Sequence, residues 1–262
     1  KVTKQQRLVG KVAILALGYQ GGVGAFQTMA RGYNITMAPA FDAVWDAASQ
    51  SRRDYAIKRW DTDGKRAGIE KREWLASELT KLAWREANPN IVAYWSLVER
   101  AAATAMRLPN TPIHLGPDLP SVTFIQRGSF LFCKLPSGRN LCYPYPEMQV
   151  KDTPWKEKKK MLTYMGEDSK SHKWVRKTAY GGLLVENITQ AIAADLLRNA
   201  IKNCVEEKYA VVLHVHDEIG AEVPIGIGRT VEEFEKLVVK LPKWAKGLPL
   251  KAEGWMGRRY RK

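Results

Sequence analysis

Cysteine is scarce in this sequence, with three residues, Cys133, Cys142 and Cys204, among 262. They form no CxxC pair and their number is odd, which argues against a secreted disulfide framework and against a zinc site. Cys133 and Cys142 stand where a hairpin could set them face to face; reduced core thiols are the plainer reading. Long apolar runs are missing too. No stretch approaches the roughly 18 to 20 uninterrupted apolar residues that span a bilayer. The first residues also show no charged leader followed by an apolar run and a cleavage site. The expectation is a soluble, cytoplasmic protein with no membrane partner. Internal repeats and low-complexity tracts are absent as well. What is present is ample core material: 45% of residues are hydrophobic and 9 are tryptophan, enough for one large core or two subdomains sharing an interface, which excludes a disordered chain.

Acidic residues are in the minority, and that is the first functional hint. Lys+Arg number 42 against 27 Asp+Glu, a formal net charge of +15. Such an excess sustains a positive field that attracts a polyanion, nucleic acid being the obvious candidate. The alternative is a very soluble basic chain that binds acidic surfaces without specificity.

Three regions follow along the chain. Up to about Pro109 the pattern is helical: Arg7 to Ala30 is one long pattern with Thr3 as N-cap, followed by Ala40 to Trp60, Lys65 to Ala87 and Pro89 to Arg107. From Pro112 to Tyr180 short alternating runs predict strands at Ser121 to Gln126, Ser129 to Lys134 and Leu141 to Tyr145, with Pro136-Ser137-Gly138-Arg139 as a turn. Lys151 to Lys177 reads as a lysine-rich loop, with Lys156, Lys158, Lys159 and Lys160 clustered on a solvated or DNA-facing surface. The last region predicts a helix from Leu183 to Val205, a strand from Tyr209 to Val215, a tight reversal and a strand through Ala221 to Val223. A helix from Val231 to Val239 and a closing strand near Leu248 to Trp255 complete it. The fold class is α+β.

Three groups of residues carry chemistry. Arg7, Lys11, Leu15 and Tyr19 recur every four residues, which stacks them into one slowly winding helical stripe about 18 Å long. Cations early in a helix oppose its macrodipole, so Arg7 and Lys11 are disfavoured unless an anion such as a triphosphate lies against them. A surface helix with two solvated cations and a buried tyrosine fits equally. The glycines after Tyr19, Gly21-Gly22-Val23-Gly24, end a helix instead of following a strand. They are therefore no dinucleotide fingerprint; they release the chain from helical geometry or admit a ligand close to the backbone.

The second group is Val211-Val212-Leu213-His214-Val215-His216-Asp217-Glu218, which sets a histidine and adjacent carboxylates at a predicted hairpin tip. Neighbouring carboxylates repel unless a cation or a hydrogen-bond network compensates, and magnesium, which binds through one or two carboxylates plus waters and phosphates, suits such a tip. A solvated Asp-containing turn is the other reading. In the third, Glu186 to Leu197, the apolar positions Ile188, Ile192 and Leu196, with Ala200 beyond them, should face the core, leaving Glu186 and Gln190 on another stripe. There Gln190 either reaches a minor-groove edge or does nothing.

Together these groups resemble motifs of family A, polymerase I-like DNA polymerases. Arg7-x3-Lys11-x7-Tyr19 is similar to motif B, His216-Asp217-Glu218 to motif C, and Gln190-Ala191-Ile192-Ala193-Ala194-Asp195 to the palm helix before motif C. Tyr19-Gln20-Gly21-Gly22, Gly24-Ala25-Phe26, Tyr180-Gly181-Gly182 and Glu186-Asn187 resemble the phage and prophage branch. The resemblance implies a fingers-like helical region over 1–110 and a palm-like region with antiparallel hairpins over 111–262. It implies that Arg7 and Lys11 bind the triphosphate of a dNTP, with Lys11 assisting catalysis. Leu15 would line the nucleotide site and Tyr19 would sit at the nascent base pair beside the template. Asp217 and Glu218 would hold Mg2+ as catalytic carboxylates, while Gln190 and His216 would contact primer-template DNA. The implied reaction is nucleotidyl transfer to a primer 3′-hydroxyl with two magnesium ions, in a bacterial or phage-infected cytoplasm.

Two departures accompany the match. Leu15 stands where the family has an aromatic ring near the sugar. The second catalytic aspartate, from motif A, and the thumb belong upstream of Lys1, so the expectation is a C-terminal fragment, inactive alone, that works with the missing N-terminal part. A single-subunit RNA polymerase, a non-catalytic nucleic-acid-binding protein and a nucleotide-binding regulatory module are the alternatives.

Overall fold

A computed structural model describes residues 2–116, 121–152 and 158–260. In chain order the elements are helices α1 (Lys4–Leu17), α2 (Val23–Gly32), α3 (Phe41–Ala47), α4 (Gln50–Thr62), α5 (Lys71–Ala87) and α6 (Pro89–Arg107), then strands β1 (Ile113–His114), β2 (Thr123–Arg127), β3 (Phe130–Lys134) and β4 (Asn140–Pro144). Strands β5 (Glu147–Asp152), β6 (Lys158–Glu167) and β7 (Trp174–Ala179), helix α7 (Gly181–Glu206), strands β8 (Ala210–Val215) and β9 (Glu218–Glu222) and helix α8 (Val231–Val238) follow. The class is α+β, with antiparallel sheets. No helix among the described residues is long and apolar enough to cross a membrane.

Two compact units divide the chain: one holds 1–103, 147–164 and 176–186, the other 104–146, 165–175 and 187–262. In the first, Thr3 caps α1 through a reciprocal pair, its Oγ1 accepting from the Gln6 amide while Gln6 Oε1 accepts from the Thr3 amide. Val12, Ala13, Ala16 and Leu17 bury one face of α1 against Phe26, Ala30, Ile35, Met37 and Ala76. A second cluster joins Val23 and Ala56 to Trp74, Leu75 and Leu79 of α5, with Trp60 edge-on to Trp74.

The long helical pattern from Arg7 to Ala30 forms two helices, parted at the glycines expected to release the chain. Gln20 takes a left-handed φ of 67°, and a Cβ on Gly21 would lie 2.0 Å from the Ala16 carbonyl oxygen, so the chain turns there before α2 restarts at Val23. The helices expected over Ala40 to Trp60 and Lys65 to Ala87 break similarly, at extended Ala48 and Ser49 and ahead of Lys71, where Glu70 caps α5.

The lysine-rich stretch expected as a loop is instead largely strand. Lys158, Lys159 and Lys160 pair with Asp152, Lys151 and Val150. Long amine stems tolerate an exposed strand, and their charge hides the alternation that would have marked it. Lys156 of that cluster lies outside the described residues.

In the second unit β1–β4 form an antiparallel sheet. Cys133 pairs with Leu141 and Cys142 with Phe132, so the two thiols occupy opposite faces; Cys142 is exposed, and burial pushes the Cys133 thiol up to about 12. The Pro136-to-Arg139 turn does more than reverse the chain. Ser137 Oγ donates to Asp195 Oδ2 at 2.5 Å, Arg139 Nε to Asp195 Oδ1 at 2.7 Å and Arg139 Nη2 to the Ala191 carbonyl at 2.8 Å, fixing the sheet to α7. Burial works against ionisation of Asp195, but the hydrogen bonds from Ser137 and Arg139 and the charges of Arg139 and Arg198 outweigh it and hold the carboxyl below its ordinary range. Further along α7, Asn203 Nδ2 donates to the Leu237 and Lys240 carbonyls, closing the end of α8. The closing strand expected near Leu248 to Trp255 does not form. Gly247 has a φ of 90°, Pro249 lacks a donor, and the Leu250 amide bonds back to the Leu248 carbonyl.

Candidate active site

The candidate residues fall into two groups, one in each unit. On α1, packing of Val12, Ala13, Ala16 and Leu17 leaves the opposite face open: Arg7, Lys11 and Leu15 are exposed there, with Ile14 beside them. The first turn of α1 carries no acidic residue. Lys11 Nζ lies 5.3 Å from the centre of the Tyr33 ring, a cation–π contact that steadies the ammonium while leaving its donors available. Nothing in the local sequence pointed to Tyr33, which stands beyond α2 and meets Lys11 only because α2 packs back on α1.

Tyr19 departs from the expected stripe. Helix α1 ends at Leu17, so Tyr19 sits in the turn, half-buried, instead of one more helical turn along. That turn is tied down from several directions. Trp95 Nε1 donates to the Gly18 carbonyl at 2.9 Å, Arg85 Nη2 to the Gly21 carbonyl at 3.1 Å, and the Gly182 amide to Gln20 Oε1 at 2.9 Å. The start of α7 comes so close that a Cβ on Gly182 would lie 2.2 Å from the Tyr19 carbonyl oxygen, and one on Gly181 would lie 2.2 Å from that of Trp95. Glu99 Oε2 accepts from the Gly181 amide, so side chains satisfy the open donors at the start of α7. Gly21 and the pair Gly181-Gly182 thus serve one junction.

In the second unit β8 and β9 pair with Val215 opposite Glu218, leaving His216-Asp217 as a two-residue turn. His216 takes a φ of 51°, the positive value that a tight hairpin matching strand twist requires at its first turn position. With His216 so placed, His216, Asp217 and Glu218 are all exposed at the tip. The register shifts between Val211 and Leu213, a bulge that leaves Val212 60% exposed and increases the local twist. Glu218 Oε2 accepts from the Tyr260 hydroxyl at 2.7 Å, and this bond raises the phenol above its ordinary range. Among the described residues no group of three or more His, Cys, Asp or Glu side chains could hold a metal ion. Asp217 and Glu218 offer at most two protein carboxylates, a donor set that fits magnesium retaining waters and phosphate oxygens and does not fit a closed protein cage.

Gln190 is exposed on α7, as its spacing predicts. Ile188 and Ala200 of the expected stripe are buried and Ile192 and Leu196 half-buried, and the buried face of α7 is broader than that stripe, taking in Ala191, Asp195 and Cys204 as well. Asp195, within the stretch that resembles the palm helix, is a structural anchor.

A DNA polymerase of Bacillus phage SP02 is 37% identical to this chain over 256 residues, covering 98% of the chain and 33% of that polymerase. The chain therefore spans about a third of the length of this relative. No family model and no solved structure matches the chain. Over nearly its whole length, the chain is similar to one stretch of a phage DNA polymerase.

Proposed function

We propose that this chain acts within a longer template-directed DNA polymerase of the family A, phage-type branch. It would contribute a nucleotide-binding helix from a fingers region, about 1–110, and a carboxylate hairpin from a palm region, 111–262. The observation that carries the reading is the similarity to the phage DNA polymerase across 98% of the chain. Support comes from the exposed Arg7-Lys11 face and from Asp217 and Glu218 held at a hairpin tip in a chain of net charge +15.

In the reaction the primer 3′-oxygen loses its proton and attacks the α-phosphorus of a dNTP; a P–O bond forms, and the bond to the leaving pyrophosphate breaks. Arg7 and Lys11 meet the negative charge of the triphosphate, Arg7 as a planar fork and Lys11 as a point charge. Leu15 lines the nucleotide site, Tyr19 is held beside the templating base, and Gln190 and His216 contact the DNA. Asp217 holds magnesium with support from Glu218. When bound there, magnesium supplies Lewis-acid charge to the phosphate oxygens and the primer hydroxyl, as in two-metal nucleotidyl transfer. Two carboxylates at the tip, in a chain a third as long as its relative, support the reading that a further aspartate comes from elsewhere in the polymerase.

Primer extension tests this directly. The longer polymerase carrying this chain is expected to incorporate dNTP in preference to rNTP and to lose that activity with Asp217→Ala; wild-type extension by the variant would refute the hairpin assignment. The 262-residue chain alone is expected to bind primer-template weakly without extending it, and robust magnesium-dependent extension by it would overturn its role as one part of a longer enzyme.

A further inference from the structure

We propose that Tyr260 is a positioning residue for Glu218, an inference that rests on the magnesium-binding role of the β8–β9 hairpin. After α8 the chain runs through a 3-10 turn at Lys243–Ala245 and continues without a strand to Tyr260. Its path is specified by contacts. The Gly254 amide donates to Glu235 Oε1 of α8, and a Cβ on Gly254 would lie 2.8 Å from Val231 Cγ1, so the segment lies flush against that helix. A Cβ on Gly257 would lie 2.8 Å from Trp255 Cζ3, so glycine there lets the chain fold over the indole. The Trp255 and Tyr260 rings then stand 6.5 Å apart, and the phenol reaches the hairpin, where its hydroxyl donates to Glu218 Oε2 at 2.7 Å.

A carboxylate at an exposed hairpin tip rotates freely unless something holds it. A donor on Oε2 fixes the plane of the group and leaves Oε1 as the oxygen available to a cation beside Asp217. This is how partners behind a ligand orient it, and their loss weakens metal binding without removing a ligand. Tyr260 is 54% exposed, so the contact acts through geometry and not through burial.

The test is Mn2+ binding to the 262-residue chain, followed by the loss of the free-ion electron paramagnetic resonance signal. It compares the wild type with Tyr260→Phe, Glu218→Ala, the double variant and Asp217→Ala. Tyr260→Phe is expected to weaken Mn2+ binding about fivefold, below the range usual for buried partners of a ligand, and to add nothing in the Glu218→Ala background. In metal-free chain, trypsin cleavage after Arg258 and Arg259 should quicken equally in Tyr260→Phe, Glu218→Ala and the double variant. Wild-type Mn2+ affinity in Tyr260→Phe, with binding abolished by Asp217→Ala, would overturn the tyrosine's role alone. An additive loss in the double variant would overturn it too, by showing that the phenol acts elsewhere. If Asp217→Ala leaves Mn2+ binding unchanged, the magnesium reading of the hairpin fails, and the positioning role fails with it.

Discussion

The turn after α1 and the tip of the β8–β9 hairpin are built in opposite ways. The turn is enclosed: Trp95 and Arg85 tie its backbone to α6 and α5, the Gln20 side chain accepts from the start of α7, and glycines allow main chain to approach main chain. The tip is open, with His216, Asp217 and Glu218 exposed and its shape set by local hydrogen bonding and one left-handed residue. The difference follows from what each displays. Arg7 and Lys11 are long, flexible cations that tolerate imprecise placement, so the helix beneath them supplies rigidity through its buried face. At the tip the hairpin register places the backbone that carries Asp217 and Glu218, and a single side-chain contact, from the Tyr260 hydroxyl, reaches the Glu218 carboxylate.

The contrast can be broken most sharply at the tip. Asp217→Ala should lower primer extension by the longer polymerase by at least about a thousandfold, several kcal/mol of barrier. The chain's unfolding midpoint should not change, because the residue is exposed. A matching loss of stability would mean that the tip is structural after all.

At the enclosed turn the order reverses. Gly182→Ala should cost about 3 kcal/mol in urea unfolding, because its Cβ meets the Tyr19 carbonyl and backbone must move. An unchanged midpoint would show that the junction yields easily.

Asp195→Ala should cost about 2 kcal/mol by leaving Arg139 and Ser137 without their partner. Because the folded carboxyl titrates below its ordinary range, its contribution is complete above the unfolded value of about 3.9 and is lost as pH falls through the folded value. The gap between wild type and variant should therefore narrow on acidification below about pH 4. A gap that widened in acid would contradict the sign. The smallest effect is expected from Tyr33→Leu, which removes the ring beneath Lys11. The KM for dNTP should rise about two- to fivefold with kcat little changed, as suits an exposed cation–π contact. A fall in kcat alone would place Tyr33 elsewhere in the cycle.

Much of this was legible in the residue order. Pro89 to Arg107 is helical to the residue, the Thr3 cap is present, and the β2–β4 strands and the His216-Asp217 reversal lie where alternation and turn chemistry put them. Local rules suffice in those segments because period and turn agree. They failed where charge masked a strand, as at Lys158–Glu167, and where a glycine's purpose lay far along the chain. Nothing within Tyr19 to Gly22 reveals that Gly182 will press on the Tyr19 carbonyl, and nothing within Pro136 to Arg139 reveals Asp195.

By itself, then, the sequence determined the α+β class, the cationic face of α1, the exposed stripe bearing Gln190 and a carboxylate-tipped hairpin. Each follows from spacing within a few residues. Only the tertiary structure decided that Tyr19 leaves the helix, that Asp195 anchors a sheet and that Tyr260 returns to Glu218. Those outcomes depend on which distant backbone and side-chain groups come within about 3 Å of one another, a matter of packing and hydrogen-bond satisfaction that local periodicity does not encode.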